Sequence, residues 1–302
     1  MNAKASHCPL CASPQLQARP FGYHFNGRWL EGTACRNCGV IFIDPQPTAA
    51  EIAQMYAKEY FEGDFRCGHA GSYFDERTLQ RLADQTLLQR IKRRRRSGKF
   101  LEVGCAGGAF LNAAREAGFE VRGVEFAAEA AGFARERFGL QVSTGEVQSA
   151  KFSENTFDVV FMGDVLEHLP DPLITVKELH RIMAPEGLLV IACPTQTNTL
   201  FSRLGFLVYA GLGKKAVVHL PPYHLFEYRP QSLRRFLQRC GFAIAGMTPT
   251  MMSPREIALR GSRLQRSGKK ILQYPNYFLT KCFGVYGDRI EVFAVKRAMQ
   301  KL

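Results

Sequence analysis

The chain has no long apolar run. Nothing in its 302 residues approaches the roughly 20 consecutive apolar positions that a membrane-spanning helix needs. The opening stretch, Met1 to Pro9, also lacks the apolar segment of a secretory leader. The expectation is a cytoplasmic protein, in keeping with an ordinary 46% hydrophobic and 22% charged residues. Acidic residues are the second scarcity: 27 Asp and Glu against 40 Lys and Arg leave a formal charge of +13. Such an excess points to an anionic partner, whether a nucleotide-linked substrate, RNA or an acidic membrane surface. The densest basic run, Lys92 to Arg96, closes a helical segment whose apolar residues are Leu79, Leu82, Leu88 and Ile91. Cations at a helix C-terminus are favoured by the dipole, so a solvated helix end is the first reading and a polyanion contact the second. A second stretch, with Arg255, Arg260, Arg263, Arg266, Lys269 and Lys270, admits the same two readings.

Paired spacing is missing from five of the nine cysteines, Cys67, Cys105, Cys193, Cys240 and Cys282, most of which read as small buried residues. The other four form Cys8-x-x-Cys11 and Cys35-x-x-Cys38. Each such turn supplies two thiolates to a tetrahedral zinc ion, and the spacing is close to that of a zinc ribbon. A reducing compartment disfavours disulfides, and a unit of this size has too little core to hold itself without a metal. Residues 1–43 are therefore expected to form a structural zinc unit, with a redox dithiol or unpaired thiols as the alternatives. Between the knuckles, Phe21, Tyr23, Phe25 and Trp29 read as a hairpin packing surface rather than a nucleic-acid face. Pro45-Gln-Pro47 then links to a capping box, Thr48-x-x-Glu51, which opens a helix, and residues 44–98 form a helical bridge.

From Lys99 an apolar strand runs into Gly104-Cys-Ala-Gly-Gly108 and then a helix stopped by Gly118. Gly104, Gly107 and Gly108 can take positive φ and let backbone N–H groups approach a ligand closely. A second strand ends in Glu125, about twenty residues beyond the first glycine, where an acid accepts hydrogen bonds from ribose hydroxyls. Strands and helices then alternate: strand 140–144, strand 157–162, helix 171–184 and strand 187–193, with a helix at 232–240 and strands at 242–248 and 289–296. Short apolar strands of this kind indicate a parallel sheet covered on both faces, an α/β Rossmann-like fold for residues 99–302. Two segments interrupt it, 195–230 and 250–287. The first has no clear periodicity before His219, and loops of that length are usually functional.

The glycine loop, Glu125 and the turn Gly163-Asp-Val-Leu-Glu-His168 together resemble the class I S-adenosylmethionine-dependent methyltransferases. The resemblance implies a seven-stranded sheet with the last strand antiparallel. It also implies a cofactor site made by Glu102, Gly104, Cys105, Ala106, Gly108, Glu125, Phe126, Glu146, Met162 and Gly163, with Glu146 near the adenine amino group. Ala106 stands where the family usually has its middle glycine, and is expected to keep an unstrained φ with a slightly shifted backbone. A dinucleotide site is the weaker reading, because the third glycine of Gly-x-Gly-x-x-Gly is missing. In such enzymes the bridge commonly roofs the active site, making Tyr56, Tyr60, Phe61 and Tyr73 candidates to line the acceptor pocket.

Pro222-Tyr-His-Leu-Phe-Glu227, the four-cysteine unit and the closing Gly287-Asp-Arg-Ile-Glu-Val292 are similar to a zinc-containing bacterial group from polysaccharide and deoxysugar pathways. That similarity implies His224 as general base, with His168 second and Tyr223, Glu227 or Tyr228 orienting base or acceptor. A carbon beside a keto group or a sugar hydroxyl needs its proton removed, and histidine is suited to that. The expected acceptor is an anionic small molecule, a nucleotide-linked or lipid-linked sugar or a related metabolite. The alternatives are an RNA methyltransferase, favoured by charge and ribbon, and a non-catalytic cofactor-binding scaffold. Against RNA, the turn lacks the Asn/Asp-Pro-Pro-Tyr/Phe motif of amino-directed methylases and the basic patches lack interleaved aromatics. Residues 200–218 are left as a lid or a lipid-facing surface, so peripheral membrane contact stays open.

Overall fold

A computed structural model describes residues 4–56, 74–219, 221–251, 253–254 and 263–297. Tyr60, Phe61, Tyr73, Cys67, Arg255 and Arg260 lie outside the described residues, as do the side chains of Arg263, Arg266, Lys269 and Lys270.

At the front, β1 (Leu16–Phe25) and β2 (Arg28–Cys35) form a hairpin, and β3 (Ile41–Asp44) pairs antiparallel with β2. Asn26 and Gly27, at φ +46° and +72°, make the two-residue turn whose twist matches the flanking strands. In helix α1 (Ala49–Met55) the Thr48 hydroxyl accepts from the Glu51 N–H, and the Glu51 carboxylate accepts from the Thr48 N–H at 2.8 Å. Two short helices, α2 (Glu76–Leu82) and α3 (Gln85–Lys92), are capped by Asp75 and Asp84 and lead to the main sheet.

The main sheet alternates strand and helix: β4 (Lys99–Val103), α4 (Ala109–Glu116), β5 (Glu120–Glu125), α5 (Ala128–Phe138), β6 (Val142–Thr144), β7 (Phe157–Gly163), α6 (Pro172–Ile182) and β8 (Met183–Pro194). Asp171 caps α6, and Pro172 fills its first turn, where no N–H is required. After β8 come α7 (Leu200–Gly211), β9 (Ala216–Val218), β10 (Phe226–Glu227), α8 (Pro230–Arg239), β11 (Phe242–Thr250), α9 (Arg263–Phe283) and β12 (Arg289–Lys296). The strand order is β11-β12-β8-β7-β4-β5-β6, with β12 antiparallel to both neighbours and the other pairs parallel. Alternation along each strand splits the core in two. Leu101, Val103, Val160, Met162, Leu189 and Ile191 join one cluster, while Phe100, Val159, Phe161, Leu188 and Val190 join the other. The order reverses between β4 and β7, and in open α/β sheets the crevice at the carboxyl ends of such strands takes the ligand.

Segment 195–230, read from sequence as lacking periodicity, contains α7 and two strands. β9 pairs parallel with β1 and β10 antiparallel with β3, so the front sheet has the order β10-β3-β2-β1-β9. The expected boundary at residue 43 thus divides a sheet that later residues complete. Phe42, Phe226, Tyr228, Leu233 and Phe236 share one core cluster with Cys8, Cys35 and Cys38, tying the cysteine unit to the main domain.

Three cations of the basic run contact the chain's own surface, while Arg93, Arg94 and Arg96 remain exposed. Lys92 Nζ donates to the Ala117 carbonyl at 2.8 Å, Arg95 to the Glu186 carbonyl, and the Arg94 guanidinium lies 4.1 Å over the Phe293 ring.

Candidate active site

Two turns meet at the switch point. After β4, Gly104 takes φ +74°, and a Cβ there would lie 2.2 Å from Val165 of the β7 turn, so only glycine allows the turns to close on one another. Gly108, at φ +80°, starts α4 where a Cβ would meet Leu140 and Ala134. Gly107 is not in the left-handed region; Ala106 is, at φ +45°. The expectation of an unstrained Ala106 is therefore corrected. The turn keeps the glycine-type backbone and the alanine bears about 1–2 kcal/mol of steric cost.

The strain is held by Glu125. Its Oε2 accepts from the Ala106 N–H at 2.8 Å and its Oε1 from the Ala127 N–H at 2.9 Å, which clamps the glycine loop to the start of α5. Burial pushes the Glu125 carboxyl up, against the pull of those backbone donors. Glu102, buried beneath the loop, has an Oε2 with no hydrogen-bond partner among the described residues. Burial, and then the Glu125 charge, hold its carboxyl well above the usual range. An unpaired acid under a loop of close-approach backbone fits a cationic, ribose-bearing ligand such as S-adenosylmethionine. Phe126, 49% exposed beside Glu125, offers a flat apolar surface. Gly145 donates to the Glu125 carbonyl at 2.8 Å, which brings exposed Glu146 to the same edge. Cys105 is buried and its thiol pushed up, so it is inert packing, and Met162, fully buried, belongs to the core beneath the loop. Gly163 is partly accessible at the end of β7.

The β7 turn and β10 bring a polar cluster together. His168 and His224 stack edge to face with centroids 5.0 Å apart. His168 Nδ1 lies 2.7 Å from the Tyr223 carbonyl and 2.9 Å from Tyr56 Oη; a carbonyl only accepts, so Nδ1 carries the proton. His224 Nδ1 lies 3.5 Å from Glu227 Oε1, and His168 Nε2 lies 3.5 Å from Glu167 Oε1. Glu167 is 1% exposed, and neither oxygen has a hydrogen-bond partner among the described residues. Burial, and then Asp164, push its carboxyl up to about 8. Burial alone would lower His224; the Glu227 hydrogen bond and the Glu167 charge outweigh it, and the imidazole pKa is raised. Asp164, itself at φ +54°, pairs with Arg289 at 2.5 Å, so the last strand braces the turn.

Two groups of side chains could hold a metal. The sulfurs of Cys8, Cys11, Cys35 and Cys38 lie within 4.8 Å of one another, with Cys8 to Cys38 at 3.7 Å and Cys11 to Cys35 at 3.5 Å. A tetrahedron with Zn–S of about 2.3 Å has edges of about 3.8 Å, so the set fits zinc with little adjustment. The Cys8 hydrogen bond pulls the Cys38 thiol down to about 5 and raises that of Cys8. The second group is Glu167, His168 and His224, whose ligand atoms also lie within 4.8 Å of one another.

Sequence reasoning placed His224, His168, Tyr223 and Tyr56 in one neighbourhood, and the structure joins them: Tyr56 packs edge-on against His168, Tyr223 and Phe126. Tyr228, a candidate to orient the acceptor, is fully buried between Phe226 and Phe236 and belongs to the core. The roles of Glu167 and the Asp164–Arg289 pair were missed. Their signal was the acidic Asp164-x-x-Glu167-His168 run, but burial of one acid and pairing of the other are not visible in it.

The profile of a family described as a methyltransferase domain matches residues 73–245. A ubiquinone biosynthesis O-methyltransferase of Azoarcus sp. (strain BH72) is 28% identical over 166 residues, 52% of this chain and 69% of that one. A protein of the same name from Actinobacillus pleuropneumoniae is 31% identical over 109 residues, 33% of this chain and 47% of that one. An S-adenosylmethionine-dependent methyltransferase from Mesorhizobium loti shares the fold at 16% identity, with a TM-score of 0.50 over 72% of this chain and 100% of that one.

Proposed function

The chain belongs to the methyltransferase-domain family as an S-adenosylmethionine-dependent enzyme, and from that premise we propose methyl transfer to a small hydroxylated or enolisable acceptor with His224 as proton acceptor. The observation that carries the reading is the pair of histidines backed by Glu167 and Glu227 beside the glycine loop.

The cofactor supplies an electrophilic methyl on a sulfonium. Glu102, the Gly104–Gly108 backbone, Glu125, Phe126 and Glu146 would hold it, so that orientation carries much of the rate. On the acceptor side, Glu227 faces His224 Nδ1, which leaves Nε2 to take the acceptor's proton. The imidazolium that forms is stabilised by the Glu227 carboxylate, whose hydrogen bond is the largest influence raising the His224 pKa. Tyr56 and the Tyr223 carbonyl fix the neighbouring His168 ring. Zinc on the four cysteines would be structural, holding β2 and β3 in register with β10, which bears Glu227.

For the acceptor we infer a nucleotide-linked or lipid-linked sugar, from the Pro-x-His-Leu stretch, the four-cysteine unit and the basic charge. A phenolic hydroxyl is the second reading, favoured by the two relatives named as ubiquinone biosynthesis O-methyltransferases. Either proton is within reach of a histidine base. RNA has less support, since Lys92, Arg94 and Arg95 of the basic run contact Ala117, Phe293 and Glu186 of the chain itself.

The test is incubation with methyl-labelled S-adenosylmethionine and, separately, nucleotide-linked ketosugars, a 1,2-dihydroxybenzene and total RNA. Label is expected in a small-molecule product and lost in His224→Ala. Label entering RNA instead would overturn the proposal.

A further inference from the structure

Helices α7 and α9 both leave large apolar side chains exposed. On α7, Phe206 faces inward and stacks on Phe21 of β1 with centroids 5.4 Å apart. The opposite face holds Leu204, Leu207 and Val208, exposed by 48%, 70% and 57%, and the helix contains no buried residue. On α9 the inward face is polar. Asn276 and Thr280 are buried, and Asn276 accepts from the Leu200 N–H at 2.8 Å and donates to the Tyr286 carbonyl at 2.8 Å. Its outward face carries Ile271, Tyr274 and Phe278, spaced i, i+3 and i+7 and exposed by 67%, 45% and 59%. A surface helix normally turns its apolar stripe to the core, and two helices joined by the Leu200–Asn276 bond that each leave such a stripe exposed mark an interaction surface. The Leu200–Asn276 bond ties both to the carboxyl end of β8, on the acceptor side of the sheet.

We propose that this face docks on an anionic bilayer surface, with α7 and α9 lying in the headgroup region. Charge selects that occupant. Lys214 just beyond α7 and Lys281 in the last turn of α9 are exposed, and the chain carries +13 overall. An anionic membrane complements an apolar stripe edged by cations, whereas a second copy would bring like charge to it. No described helix is long and apolar enough to cross a membrane, and the 12 residues of α7 span about 18 Å against a hydrocarbon core of about 30 Å, so the contact is interfacial. The docking is independent of the acceptor's identity; it would bring the active-site mouth to the membrane whether or not the acceptor is lipid-linked.

The experiment is co-sedimentation of the full chain with vesicles of phosphatidylcholine alone or mixed with phosphatidylglycerol, at low and raised salt. Binding is expected to the mixed vesicles and to weaken with salt. Leu207→Glu/Val208→Glu should lower the bound fraction roughly tenfold or more, because two exposed anchors are lost and charge is placed at an anionic surface. Lys214→Glu/Lys281→Glu should remove the preference for phosphatidylglycerol. Unchanged S-adenosylmethionine affinity in both variants shows that the fold is intact, since neither pair touches the cofactor loop. No sedimentation of the wild-type chain, equal binding to both vesicle types, or wild-type binding by the Leu207→Glu/Val208→Glu variant would overturn the proposal. So would a dimer in analytical ultracentrifugation that this variant dissociates, which would give the face to a second copy.

Discussion

Glu167→Gln changes one oxygen of a carboxyl that the fold isolates from water and from every described hydrogen-bond donor. In the folded chain that carboxyl is pushed up to about 8; unfolded, it returns to about 4.3. Between those values the folded state holds a proton that the unfolded state has released, so stability must fall as pH rises. The slope approaches about 1.4 kcal/mol per pH unit for one full proton. His224 acts with the same sign: its raised pKa contributes stability that is present at low pH and lost as pH rises through the folded-state value. A glutamine keeps the shape and cannot ionise. The difference in unfolding free energy between wild type and Glu167→Gln, measured by urea titration at steps from about pH 5 to about pH 8, should therefore move steadily toward the variant. Two parallel pH curves would refute the reasoning. They would mean that Glu167 is charged in the folded protein throughout, as it would be with a cation bound among Glu167, His168 and His224.

Glu125→Ala frees two backbone donors and the ribose contact, and should weaken S-adenosylmethionine binding by about tenfold or more in calorimetry; unchanged affinity would mean the pocket is misassigned. Ala106→Gly should stabilise the protein by about 0.5–1 kcal/mol, the relief of left-handed strain less the glycine entropy, read as a higher urea midpoint. His224→Ala should lower turnover roughly 10² to 10⁴-fold with cofactor affinity nearly intact, whereas His168→Ala should disturb both, as steady-state kinetics and calorimetry would show. Metal analysis should find about one zinc per chain. Cys35→Ala should reduce turnover more than S-adenosylmethionine affinity, because β3 pairs with β10 while the glycine loop stands apart from the front sheet.

Much of this protein is written in local sequence. The strands of the main sheet, the glycine turns, the caps at Thr48 and Asp171 and the two cysteine knuckles each depend on residues within a few positions of one another. Propensity, φ preference and ligand spacing act over that range. Gly104 and Gly108 were legible because only glycine fits those turns at no cost. Ala106 was misread because its φ is imposed by a bond from Glu125, nineteen residues away.

What tertiary structure decided is the long-range pairing and the burial of charge. No periodicity announces that residues 216–218 and 226–227 close the front sheet, since two- and three-residue strands carry no pattern of their own and exist only through their partners. Nor does the sequence say that Glu167 loses its water, that Asp164 finds Arg289 across 125 positions, or that Tyr228 packs inward while His224 faces Glu227. Sequence supplies the acids, the histidines and the turn. Which acid is left unpaired, and so keeps its proton to higher pH, follows from packing that removes solvent from one side chain and leaves it on the next.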